Sequence, residues 1–271
     1  MGSDDTADLI HDPNGGMPRL LEIMRRLRDP ETGCPWDIEQ TPQTIAPYSI
    51  EEAHEVADAI EREAWDELED ELGDLLFQTV FQAQMAEEAG RFTFESVANR
   101  IAQKMVDRHP HIFGDESREK SAEQQVRDWE EIKAKERAQK KQKGALDGVA
   151  KGLPALMRAL KLQKRAARVG FDWTDIGDVL AKLDEETREL VEARDCKGHA
   201  EIEEEFGDLL FVMVNIGRHL GVDPEIALRG TNAKFARRFE GIETALAKAG
   251  KRPEDATLQE MDALWNQMKS H

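Results

Sequence analysis

The sequence predicts an all-α protein in which one helical domain occurs twice. Three observations carry this expectation. Apolar residues recur at helical spacing between Gly and Pro punctuation, as in Leu20, Leu21, Met24 and Leu27. Aromatic residues total 6% and Tyr occurs once, which argues against a β-rich core. A four-acid pattern then appears twice with the same internal spacing. Its core is Glu71-Leu-Gly-Asp74-Leu-Leu-Phe77 in the first copy and Glu205-Phe-Gly-Asp208-Leu-Leu-Phe211 in the second. A second acidic pair stands upstream of each, Glu52 with Glu55 and Glu186 with Glu189, and both gaps to the next acid are 16 residues. Corresponding acids are 134 residues apart, from Glu52 to Glu186 and from Asp74 to Asp208.

The spacing decides what the acids can do. Carboxylates three residues apart share one face of a helix. Four of them on two adjacent helices repel one another unless a cation stands between them. All-oxygen ligands of this kind suit Mg²⁺ or Mn²⁺, and Mg²⁺ sites commonly add substrate phosphates. A lone Glu-x-x-Glu is more often a solvated face, and it is the duplication that favours a metal.

Taken in order, residues 1–16 are acidic at their start and are expected to be a disordered tail. A helix from Met17 ends at Asp29-Pro30, because the residue before proline avoids the helical region. Residues 29–47, with four prolines, Gly33 and Trp36, are expected to form a loop. Ser49 then caps a helix to about Glu63, with Glu52 completing a capping box. The next helix, about 66–88, stops at Gly90 and is expected to bury Leu68, Leu72, Leu75, Leu76, Thr79 and Val80. Thr93 or Ser96 opens another, which His109-Pro110-His111 breaks. Residues 121–143 read as helix through Val126, Trp129 and Ile132. A basic, Gly-punctuated linker follows at about 136–151, which makes the first domain 17–135 and the second 152–271. The second copy is expected to place helices at about 155–168, 175–194, 199–220, 224–248 and 257–269. Gly73 and Gly207 stand inside helices, where Gly costs about 1 kcal/mol against Ala. Close helix approach at the acids, or a bend, would account for them.

Composition limits the partners. A net charge of −19 disfavours nucleic acid, whose phosphates are held by basic surfaces, but a metal can bridge carboxylates to a nucleotide. No apolar run reaches the ~18 residues of a membrane span. Cys34 and Cys196 have no metal-ligand spacing and make no disulfide framework, so reduced thiols in a cytoplasmic protein are expected.

The repeat extends past the acids. Lys104 and Arg108 follow the first set and Lys234 and Arg238 the second, each pair four apart on a helix. Trp129 with Lys133 and Trp265 with Lys269 follow in turn. Lysine and arginine beside a metal suit a polyphosphate, and an indole can stack on a base or simply pack in a core.

With these residues in view, the chain resembles the MazG family of bacterial nucleoside triphosphate pyrophosphohydrolases in its two-domain form. The family pattern reads here as Glu51-Glu52-x-x-Glu55 to Glu71-x-x-Asp74 and Glu185-Glu186-x-x-Glu189 to Glu205-x-x-Asp208, with Gly33-Cys-Pro-Trp-Asp37 and Arg108-His-Pro-His111 as further likenesses. The resemblance implies acid-bearing helices in four-helix-bundle packing, usually as a homodimer. It implies Mg²⁺-dependent hydrolysis of nucleoside triphosphates to monophosphate and pyrophosphate. The metal residues it implies are Glu52, Glu55, Glu71, Asp74, Glu186, Glu189, Glu205 and Asp208. Lys234, Arg238, Trp265 and Lys269 become nucleotide contacts, with Lys104, Arg108, Trp129 and Lys133 as their first-copy counterparts. Lys182 is a further phosphate contact, where the first copy has Tyr48. Glu185 or Glu204 would orient or deprotonate the attacking water. The rival reading is a non-catalytic helical metal-binding or interaction protein. A ferritin-like di-iron site needs two Glu-x-x-His pairs, and Glu51 with His54 has no second-copy equivalent, because Arg188 stands at that place.

Overall fold

Residues 9–115, 119, 121, 124, 125, 128, 129, 132 and 144–269 are described by a computed structural model. They divide into two compact units, Met1–Ile132 and Lys133–His271. The first contains α1 (Gly16–Leu27), α2 (Pro35–Glu39), α3 (Pro42–Glu61), α4 (Trp65–Glu88), α5 (Phe94–Arg108) and α6 (Pro110–Phe113). The second contains α7 (Ala155–Ala167), α8 (Ile176–Cys196), α9 (His199–His219), α10 (Pro224–Lys248), a 3₁₀ turn (Pro253–Asp255) and α11 (Leu258–Met268). Among the described residues there is no strand, and no helix is long and apolar enough to cross a membrane.

The acid-bearing helices form one hairpin per unit, α3 with α4 and α8 with α9. The links are so short, residues 62–64 and 197–198, that the helices must run antiparallel. In the first unit, α1 closes one end of the hairpin. Met24 packs on Ile45, Val80, Phe81 and Met85, all nearly inaccessible to water. At about 1.5–3 kcal/mol for each fully buried large apolar side chain, this cluster is what holds α1 in place. The second unit buries Leu160 of α7, Val179 of α8, Val212 and Val214 of α9, and Ile242 and Leu246 of α10. Capping defines the helix starts. Thr93 and Ser96 form a reciprocal capping box for α5, Asp223 accepts from the Glu225 and Ile226 amides of α10, and Thr257 and Glu260 close α11.

Several expectations are corrected. The loop at 29–47 contains α2, and α3 begins at Pro42 rather than after Ser49. Thr41 is its N-cap, paired with Thr44, and Pro42 occupies the first turn, where its missing N–H would have no helical partner anyway. Pro47 is then carried inside the helix. Within residues 1–16, residues 9–11 are helical, and the Ile10 carbonyl accepts from Arg19 Nε at 2.8 Å. On α4 the buried residues are Gln78, Val80, Phe81, Ala83 and Met85, while Leu72, Leu76 and Thr79 are exposed. The cause is that α1 covers only the C-terminal half of that helix. Lys133 and the basic run that follows it lie outside the described residues.

Candidate active site

Each hairpin gathers three of its four acids. Carboxylate oxygens of Glu186 on α8 and of Glu205 and Asp208 on α9 lie within 4.8 Å of one another. In the first unit, Glu52 and Glu55 of α3 and Glu71 of α4 meet in the same way. Glu189 and Asp74 stand outside these triads but act on them electrically. Partial burial raises the pKa of Glu189 above its ordinary value, and the charges of Glu186 and Glu205 raise it further. Glu52 and Glu71 are raised by partial burial first, and then by their acidic neighbours, Asp74 among them.

The donor set fits a hard divalent cation. Every ligand atom is a carboxylate oxygen, and oxygens on opposite sides of one Mg²⁺ stand about 4.2 Å apart. Three oxygens within 4.8 Å therefore close on an ion with small rotamer changes.

Local cations stand against the second triad. Lys182 Nζ lies 2.8 Å from Glu186 and 3.0 Å from Glu185, and these two acids hold its ammonium protonated well above the usual lysine range. Lys197, which the sequence reading missed, lies 3.5 Å from Glu205. It stands in the short link between α8 and α9, eight residues before Glu205. Glu204 is exposed beside the triad.

A cavity of about 490 Å³ opens beside this triad, and Lys182, Glu186 and Asp208 form part of its lining. Its remaining walls are apolar, with Leu162 of α7, Phe171 and Trp173 of the α7–α8 loop, and Phe211 and Val212 of α9. Gln163, Asn215 and an Arg218–Asp172 ion pair supply the polar groups. Arg218 Nη1 donates to Asp172 at 2.9 Å, and this contact first holds the Asp172 carboxyl below its ordinary range. None of these polar residues was singled out from sequence.

The distal cations form a different constellation. Arg238 lies over the Trp265 ring at 5.5 Å, and Phe235 packs on the same ring at 5.3 Å. Lys269 Nζ donates to Asn266 at 2.9 Å, and Lys234 is exposed. None of Lys234, Arg238, Trp265 and Lys269 lines the cavity at the acids. In the first unit, Trp129 Nε1 donates to the Arg108 carbonyl at 3.1 Å and its ring packs on His109 at 5.3 Å, so that indole braces the His-Pro-His turn. Lys104 is exposed on α5. A Cβ added at Gly73 or Gly207 would meet nothing within 4 Å, so close helix approach inside the chain does not explain either glycine.

A paired-helix scaffold with a carboxylate set on each hairpin is the frame of an α-helical nucleotide-hydrolysing domain. The model of one such family, the MazG nucleotide pyrophosphohydrolase domain, matches residues 40–113 and 176–242, together more than half of the chain. The chain is 55% identical over 253 residues to the nucleoside triphosphate pyrophosphohydrolase of Escherichia coli (strain K12), covering 93% of this chain and 96% of that one. It is 44% identical over 250 residues to the nucleoside triphosphate pyrophosphohydrolase/pyrophosphatase MazG of Thermotoga maritima, covering 92% and 94%. The Mycobacterium tuberculosis nucleoside triphosphate pyrophosphohydrolase is 38% identical over 155 residues, 56% of this chain and 46% of its own length. The chain belongs to the MazG family.

Proposed function

We propose that this protein is a cytoplasmic nucleoside triphosphate pyrophosphohydrolase that converts NTPs and dNTPs to the monophosphate and pyrophosphate, chiefly at the second unit. The observation that carries the reading is the Glu186–Glu205–Asp208 triad opening directly onto a cavity large enough for a nucleoside. Mg²⁺ or Mn²⁺ held by this triad, with Glu189 beside it, would polarise the phosphates and lower the pKa of a nearby water. Lys182 neutralises Glu185 and Glu186 and is free to turn to a phosphate once another cation takes over the acids. Lys234, Arg238 and Lys269 supply positive charge for the leaving pyrophosphate, with Lys104, Arg108 and Lys133 in the corresponding places of the first copy. Glu185, held at the triad by Lys182, and Glu204 beside it are the carboxylates available to take the proton of the attacking water. Attack at the α-phosphorus breaks the α–β anhydride. ATP with Mg²⁺ is therefore expected to give AMP and pyrophosphate, and ADP with orthophosphate as the main products would overturn this assignment.

The acting species is a homodimer. Phe206, Leu210 and Met213 form one row along α9, and they remain 51%, 43% and 49% exposed. Such a row is uncovered apolar surface on the helix that carries the catalytic acids, and four-helix-bundle packing requires a second hairpin against it. Light scattering at micromolar concentration is expected to give twice the chain mass. A particle of one chain mass would remove the between-chain arrangement.

A further inference from the structure

The second acid set has a cation of its own. Lys182 Nζ lies 2.8 Å from Glu186 Oε1 and 3.0 Å from Glu185 Oε1, one turn along α8. Glu186 is 5% exposed, so the nearer contact is made at a carboxylate largely removed from water. Lys197 Nζ stands 3.5 Å from Glu205 Oε1, a looser contact from the link between the helices. Two of the three acids of this triad are therefore paired within the chain. The first set is built otherwise. The residue 134 places before Lys182 is Tyr48, which is uncharged and set edge-on against Trp36 at 6.4 Å. The residue 134 places before Lys197 is Glu63, of opposite charge. Arg62, in the first hairpin's link, is held by Asp58 and Glu67. Among the described residues, the neighbouring charges that act on Glu52 and Glu71 are acids.

We propose that Lys182 is an internal counter-ion of the second acid set, which a divalent ion must displace, so that this set binds free metal more weakly than the first. The inference rests on the reading of both sets as metal ligands. An ion about 2.1 Å from the Glu186 oxygen that Lys182 contacts would lie within about 5 Å of Nζ, where like charges repel strongly. The ammonium has to leave before the ion can stay, and the contacts it gives up are subtracted from the ion's affinity. Lys197 acts in the same direction but less, because its contact is longer and its partner Glu205 is less buried than Glu186. In the first set an ion relieves the repulsion between Glu52, Glu55 and Glu71 with no lysine or arginine to displace among the described residues. One chain therefore carries two acid sets of similar make-up, one that takes up free metal readily and one that exchanges a built-in cation for it.

The test is a Mn²⁺ titration of the full-length protein without nucleotide, with the free ion followed by electron paramagnetic resonance. One set is silenced at a time, the first by Glu52→Gln and the second by Glu205→Gln. The second set is expected to bind Mn²⁺ roughly tenfold more weakly than the first, the lower end of the factor for one charge-assisted contact to a carboxylate. Lys182→Met, added to Glu52→Gln, should tighten the second set by about that factor, while Lys182→Arg, which keeps the charge, should leave it weak. Arg188→Met is the control for charge alone, because Arg188 lies on the same helix next to Glu189 but donates to the Asp184 carbonyl at 3.1 Å. Equal affinities of the two sets would overturn the proposal. So would a second set unmoved by Lys182→Met, or one tightened as much by Arg188→Met. A chain that binds no Mn²⁺ at either set overturns the metal reading and this proposal with it.

Discussion

Thorough chelation is expected to abolish pyrophosphate release and to lower the melting temperature, and added Mg²⁺ or Mn²⁺ should restore both. The reason is the crowding of like charge. The hairpins bring two triads of carboxylate oxygens together, each within 4.8 Å. Only in the second unit do Lys182 and Lys197 stand against a triad at ion-pair distance among the described residues. An ion that binds only the folded state at a hundred times its Kd stabilises by about 2.7 kcal/mol, which for domains of this size moves the midpoint by several degrees. The pH dependence has a defined sign. Glu52, Glu71 and Glu189 have folded pKa values above the ordinary 4.5, so the folded state holds their protons more tightly than the unfolded one. The ion-free protein therefore loses stability as pH rises from that ordinary value through the raised ones. A divalent ion competes with those protons, so its stabilising effect grows over the same interval and fades on return toward pH 4.5. Turnover that survives chelation would sink the metal assignment, and a metal-induced shift indifferent to pH would sink this account of it.

Much of the frame was legible because it is periodic. The two acid patterns, the presence of the helix pairs bearing them and the opening of α5 at Thr93, one of the two residues expected, follow from spacing and capping chemistry, while the start of α3 lies at Pro42, well before Ser49. Two kinds of feature were not. The first is proline in a helix. Pro42 and Pro47 read as breakers, whereas Pro42 sits in the first turn and Pro47 is carried inside the helix. The second is anything made between segments distant in sequence. Gln163, Asp172, Asn215 and Arg218 come from three segments, and only packing of α7 and its following loop on α9 makes them one wall. A signal existed at one of them. Within a repeat that keeps Leu-Leu-Phe in both copies, Asn215 replaces Phe81, a polar residue where the first copy has core. Breaks in a repeat mark function as much as its regularities do. Arg238 and Trp265, matched by position in the repeat, lie against each other at 5.5 Å, a pairing that spacing alone does not reveal.

Asp208→Asn is expected to remove nearly all turnover, by about a hundredfold to a thousandfold, while Asp74→Asn leaves most of it. Both changes remove one charge with almost no change of volume, so they compare the two acid sets and not two packing defects. Each set brings three carboxylates within 4.8 Å, though not the same three of its four acids. The difference lies in what surrounds them. The second has Lys182 against its acids, and the first has Tyr48 at that place. A charge-assisted contact to an anion is worth about 1.5–3 kcal/mol, or roughly tenfold to a hundredfold in rate when it strengthens in the transition state. The second also has a cavity shared by Glu186 and Asp208, whereas Phe81 fills the corresponding place in the first. Asp208 is one of the three oxygens of its triad, while Asp74 stands outside its own. All of these differences act in one direction. Pyrophosphate release by each variant, measured beside its Mn²⁺-induced thermal shift, separates loss of the ion from loss of the fold. Equal losses from the two changes, or a larger loss from Asp74→Asn, would show that the first unit turns over nucleotide on its own terms and that neither the cavity nor the extra lysine sets the rate.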